Sequence, residues 1–210
     1  MTLTAQQILQ QAKACQTQLS DDRHWLHRHP GLAFDIAETV DYVRQQLIEM
    51  GYDPQPCGKA GLVALVGGKK PGKVFLLRAD MDALPITEQS GEEFASTNGR
   101  MHACGHDMHT AMLLGAARLL KQYEDEIEGT VKLMFQPAEE VFLGSQDMLD
   151  AGVLDNPKVD AAAMLHVTSG AALPTGSVII SVPGVSLPAC DFSRSGYRAR
   201  AAMARHLPTA

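Results

Sequence analysis

Cys104-Gly105-His106 sets a thiol and an imidazole on either side of a glycine. Glycine permits the tight backbone that folds both side chains toward one point. Thiolate and imidazole together suit Zn²⁺ and neighbouring first-row metals. Taken alone, such a triplet is as readily a buried cysteine beside a helix-capping histidine. Asp107 and His109 follow on the next turn, where they can orient a ligating histidine. Glu139 and Glu140 come directly after an apolar run and Pro137. Adjacent carboxylates are usually a solvated face. At a strand end, however, they point in different directions, so Glu140 can hold a metal while Glu139 faces a metal-bound water as general base. His166 ends another apolar run and in isolation reads as a core histidine. Asp80 and Asp82 share one side of an extended segment, where one can fix a histidine tautomer or both can cap the loop before Pro85.

The elements around these residues supply the context that single motifs lack. Apolar positions recur at helical spacing from Leu3 to about Leu26 and stop at His29-Pro30-Gly31, and a second helix is expected over about Ile36–Met50, closing at Gly51. Short apolar runs at Leu62–Val66, Val74–Ala79, Val131–Phe135 and Ala161–Val167 predict strands. A long helix is expected between the second and third, from about Met108 to Tyr123, opening after Gly105. Alternating strands and helices predict an α/β sheet covered on both faces, with chemistry on the loops just past strand ends. The reactive residues fall at four such junctions. Their convergence argues for a site where each motif alone does not.

Composition narrows the class. The net charge of −6 argues against a nucleic-acid partner. No apolar run approaches the roughly 20 residues of a membrane span, and the N-terminus lacks the basic and apolar regions of a secretory signal. Cys15, Cys57, Cys104 and Cys190 are few and scattered, which predicts a reducing cytoplasm and not a disulfide framework.

At HRHPGLAFDIAET, LLRADMDALPI, NGRMHACGHDMHTAMLLGAA, VKLMFQPAEE and AAAMLHV the sequence resembles peptidase family M20. Within it, the likeness is to the amidohydrolases that include hippurate hydrolases, N-acyl-amino-acid amidohydrolases and auxin-conjugate hydrolases. The stretches keep the family's order and spacing over about residues 20 to 190. The resemblance implies a three-layer αβα zinc-peptidase-like catalytic domain. It implies metal ligation by Cys104, His106, Glu140 and His166, with Glu139 as the general acid/base and Asp82 orienting groups beside the metals. Two divalent ions, Mn²⁺ or Zn²⁺, are implied as cofactors and a small N-acyl amino acid as substrate. His27 and His29 lie in a matching stretch and are expected to be structural.

The resemblance also implies a chain nearly twice as long, with an inserted lid or dimerisation domain, a further histidine ligand and usually a homo-oligomer. Residues 1–190 then form the N-terminal part of an incomplete catalytic domain. Residues 191–210, whose Ser193–Ala210 stretch is rich in Arg and Ala, form an aberrant tail. A frameshifted start of the lid domain would account for it, because codons from Phe192 can be chosen to read FEIRVQGKGGHGAA in another frame. A gene without such an alternative frame would rule that out. Little or no hydrolase activity is expected of the chain by itself. The other reading is a non-catalytic remnant that binds metal or associates with full-length relatives, and metal content measured beside hydrolysis separates the two.

Overall fold

The structure is a computed structural model that describes residues 4–168 and 174–180. Met1–Val167 and Thr168–Ala210 form separate units. The second contributes an exposed stretch with a turn at Thr175-Gly176, closed by the Ser177 N–H on the Pro174 carbonyl. The expected boundary at residue 190 and the tail 191–210 lie outside the described residues.

In the first unit, α1 (Ala5–Ala14), α2 (Gln16–Arg28) and α3 (Ala37–Glu49) precede the strands β1 (Gln55–Cys57), β2 (Gly61–Gly67) and β3 (Lys70–Asp80). Then come α4 (His106–Gln122), β4 (Glu128–Gln136), α5 (Gly144–Asp150) and β5 (Ala161–Met164). The strands form one mixed sheet in the order β1-β2-β4-β3-β5. β3 runs parallel to both β4 and β5, whereas β2 is antiparallel to β4 and β1.

Alternation along each strand sends side chains to opposite faces. Leu62, Ala64 and Val66 of β2, with Leu133 and Phe135 of β4, join Val43 and Leu47 of α3 and Leu113, Leu114 and Ala117 of α4 in the main core. Leu76 of β3 and Met134 of β4 point the other way, onto Met148 of α5 and Val153. The result is the expected helix–sheet–helix layering. A buried ion pair links the helical layer: Arg118 on α4 donates to both carboxylate oxygens of Asp22 on α2 (2.6 and 3.3 Å), and Tyr42 on α3 donates to the same group at 2.8 Å.

Two details depart from the sequence-based expectation. The single helix over Leu3–Leu26 is two, because the chain turns at Cys15 (ψ 2°), whose N–H lies within reach of the Gln11, Ala12 and Lys13 carbonyls. α1 buries no side chain, so its apolar spacing carries no packing that would hold one continuous rod. The run Ala161–Val167 ladders only to Met164, paired with Arg78, and beyond it the backbone is held by side chains. Lys132 is a feature that the apolar pattern does not display. Although it lies mid-strand among apolar residues, it is 2% exposed. Its Nζ donates to the carbonyls of Val153, Asp155 and Pro157 at 2.6–2.9 Å, pinning the turn that leads into β5.

Candidate metal centre

The three parallel strands β3, β4 and β5 end at the same edge, which is where side chains converge in sheets of this kind. Asp80 closes β3 and Asp82 lies just beyond it. The Pro137–Gly144 loop follows β4, His166 follows β5, and the Cys104–His106 turn opens α4. Gly105 takes φ 85°, a left-handed conformation that suits glycine. A Cβ there would sit 2.4 Å from Val167 Cγ2, so the turn also lies tight against the segment that follows β5.

The predicted residues meet. The ligand atoms of Cys104, His106 and His166 all lie within 4.8 Å of one another, as do those of His106, Glu139 and Glu140. Cys104 Sγ is 3.4 Å from His166 Nε2. His106 Nε2 stands 3.8 Å from Glu140 Oε1 and 3.9 Å from Glu139 Oε2. Both histidines are oriented from behind. His106 Nδ1 donates to the Asp82 carbonyl (2.8 Å) and His166 Nδ1 to the Val167 carbonyl (2.5 Å). Each Nε2 therefore keeps its lone pair facing the cluster.

Asp82 is 0% exposed and grips the two-carboxylate loop. Its carboxylate oxygens accept the N–H of Glu139 (2.9 Å) and of Glu140 (3.2 Å). The same loop holds Ala138 at φ 52° and Phe142 at φ 57°, left-handed geometry that costs an L-residue about 1–2 kcal/mol. Hydrogen bonds from Ala138 N to the Ala33 carbonyl and from Leu143 N to the Ala138 carbonyl help fix it. Gly144 packs so close to the Pro137 carbonyl that a Cβ would fall at 1.6 Å.

The site concentrates acceptors. Burial, then the Glu140 and Glu139 carboxylates, push the Cys104 thiol up to about 12. Burial also raises Glu140. It raises Asp82 as well, against the two loop N–H bonds. Asp80 differs: burial opposes its charge, yet the His109 hydrogen bond and the Arg78 guanidinium hold it down to about 2. His106 Nε2 and Glu140 Oε1 are buried with no hydrogen-bond partner. A partnerless imidazole lone pair beside a partnerless carboxylate oxygen, with a thiol among carboxylates, is a donor set that a divalent cation satisfies.

Two nearby expectations divide. Asp107 is not what orients His106, whose Nδ1 goes to the Asp82 carbonyl. Asp107 turns back to accept from His27 Nδ1 (2.7 Å) and Arg23 Nε (2.9 Å). His27 also reaches Glu88 through Nε2 at 2.9 Å, which gives it the structural position expected of it. His29, capping α2, stacks on Trp25 and meets the Trp25 carbonyl. Glu88 went unnoticed in the sequence because it sits in a polar loop without periodicity. His109 does lie at the site, between Asp80 and the end of β5.

The profile of Peptidase family M20/M25/M40 matches residues 76–205. The chain is 43% identical over 169 residues to the N-acetylcysteine deacetylase of Bacillus subtilis (strain 168), covering 79% of this chain and 43% of that protein. It is 42% identical over 170 residues to the N-acyl-L-amino acid amidohydrolase of Geobacillus stearothermophilus, covering 80% of this chain and 45% of that one. Among solved structures, a dinuclear metal binding peptidase of the M20 family from Bacillus subtilis superposes with a TM-score of 0.70 at 44% identity, over 74% of this chain and 44% of that one. The chain thus spans under half the length of these relatives.

Proposed function

Because the chain belongs to peptidase family M20/M25/M40, we propose that it carries the metal-binding part of an amidohydrolase that cleaves the amide bond of N-acyl amino acids, hippurate-like ones included. The observation that carries this reading is the buried, partnerless pair of His106 Nε2 and Glu140 Oε1, 3.8 Å apart. Cys104 and His166, in mutual contact, share the same cluster. Cys104, His106, Glu140 and His166 would hold two divalent cations, Mn²⁺ or Zn²⁺. Bound there, the cations would supply the Lewis acidity that polarises an acyl carbonyl and acidifies water.

The chain's own residues do the remaining work. Glu139 accepts the proton of the attacking water and returns it to the departing amine nitrogen. Asp82 holds that carboxylate in place through the loop N–H groups. The Asp82 and Val167 carbonyls keep the two imidazoles in the tautomer that offers Nε2. A reducing cytoplasm suits a free thiol in the ligand set, and Cys15, Cys57 and Cys104 are all free.

Zn²⁺ and Mn²⁺ titration with elemental analysis, run beside hydrolysis of N-acetyl amino acids and hippurate, tests the reading. Cation uptake is expected, and is lost in Cys104→Ala and His106→Ala. Any turnover disappears in Glu139→Gln while the cation stays. A chain that takes up no divalent cation contradicts the proposal, and one that binds cations without turnover is the metal-binding remnant.

A further inference from the structure

Resting on that reading of the cation site, we propose that His109 is a positioning residue: it orients His166 through the Val167 peptide and is not itself a ligand. Proximity alone would allow the opposite, since Asp80, His106 and His109 also bring ligand atoms within 4.8 Å of one another. The hydrogen bonds decide. His109 Nε2 lies 2.9 Å from the Val167 N–H. A backbone N–H can only donate, so Nε2 is the acceptor and the ring proton sits on Nδ1. That proton goes to Asp80 Oδ1, 2.6 Å away. Both nitrogens of this side chain, which is 3% exposed, are thereby committed, and a cation at Nε2 would have to displace a backbone N–H.

The same link explains how His166 is held. The β3–β5 ladder stops at the Arg78–Met164 pair, so His166 and Val167 lie beyond it. His109 bonds the N–H of Val167, and the carbonyl of Val167 accepts the Nδ1 proton of His166. His166 Nε2 is then left with its lone pair 3.4 Å from Cys104 Sγ. The two imidazoles also meet edge to face, centroids 4.6 Å apart. The far end of the clamp is rigid: Arg78 Nη1 bonds the Asp80 carboxylate at 2.6 Å, and Thr110 Oγ1 bonds the Asp80 carbonyl at 2.8 Å. Asp80, read in the sequence as one of a pair able to fix a histidine tautomer, fixes this one.

Two variants split the clamp. Asparagine at 109 places an amide near Nδ1, in reach of Asp80 but short of Val167. Glutamine carries an amide oxygen to about the Nε2 position and restores the acceptor for the Val167 N–H. Imidazole ¹⁵N spectra of the metal-free chain are expected to show Nδ1–H tautomers at both His109 and His166. In His109→Asn the His166 signal becomes a mixture of tautomers, and in His109→Gln it returns to Nδ1–H. An Nε2–H tautomer at His109, or a His166 tautomer indifferent to His109→Asn, overturns the proposal. Co²⁺ titration gives the second reading: affinity falls about 10–100-fold in His109→Asn and largely recovers in His109→Gln. The saturated thiolate-to-cobalt absorption is expected to stay unchanged. Equal loss in both variants, with an altered saturated spectrum, would make His109 a ligand and sink the idea. A parent chain that binds no Co²⁺ removes the cation reading, and the tautomers still decide the clamp.

Discussion

Asp82 reaches the site through other residues. Its two carboxylate oxygens hold the N–H groups of Glu139 and Glu140, and its carbonyl holds His106. Asparagine keeps one acceptor oxygen and turns an NH₂ toward a backbone N–H. Asp82→Asn should therefore cost about 1–3 kcal/mol of stability and weaken Zn²⁺ binding about tenfold or more, read by denaturant titration and calorimetry. Unchanged Zn²⁺ affinity would mean that the loop needs no such anchor. The candidate site was legible at this scale because motifs that are each weak alone fall together at the ends of neighbouring strands. Their supports were not. The carbonyls of Asp82 and Val167 carry no side-chain signature, and Asp107, next to His106 in sequence, turns toward α2.

At the scale of elements, β5 depends on contacts that the apolar pattern does not display. Lys132 joins β4 to the turn before β5 with three carbonyl bonds. Burial lowers its ammonium pKa, yet the carbonyls satisfy its protons. Lys132→Ala leaves those acceptors without a donor, and a loss on the order of 3 kcal/mol is expected. Hydrogen exchange should rise first over residues 153–164; exchange unchanged there would contradict the assignment. A lysine inside VKLMF reads as the solvent-facing position of an alternating strand, which is why its burial was not foreseen. The break between α1 and α2 was hidden for a related reason, since the apolar spacing runs on through Cys15. The core strands and α4 were legible because their long apolar periods outweigh such local detail.

Across the first unit, charge straps the Glu88 loop and the start of α4 to α2. Burial opposes the ionisation of Glu88, but hydrogen bonds from Ser90, His27 and the Ser96 N–H hold it down to about 2. Its contribution is present above the ordinary carboxylate value of 4.5 and is lost as pH falls toward about 2. His27 works in the opposite sense. The Asp107 hydrogen bond raises it, so its contribution is full below 6.5 and fades as pH rises through the raised value. Thermal midpoints, followed by the single tryptophan, Trp25, should fall more steeply from pH 4.5 to 2 in the parent chain than in Glu88→Gln. Parallel curves would remove Glu88 from the strap. Phe94, stacked on His24 and lying under Arg23, helps hold the same loop to α2.

The proposed function needs one cluster of donors to share cations at the end of three parallel strands. Anomalous scattering from crystals grown with Zn²⁺ or Mn²⁺ tests that most directly. The expected density lies within about 2.0–2.3 Å of Cys104 Sγ, His106 Nε2, a Glu140 oxygen and His166 Nε2, with Glu139 alongside and His109 still bonded to Val167. Density confined to other residues, or none at saturating metal, would contradict it.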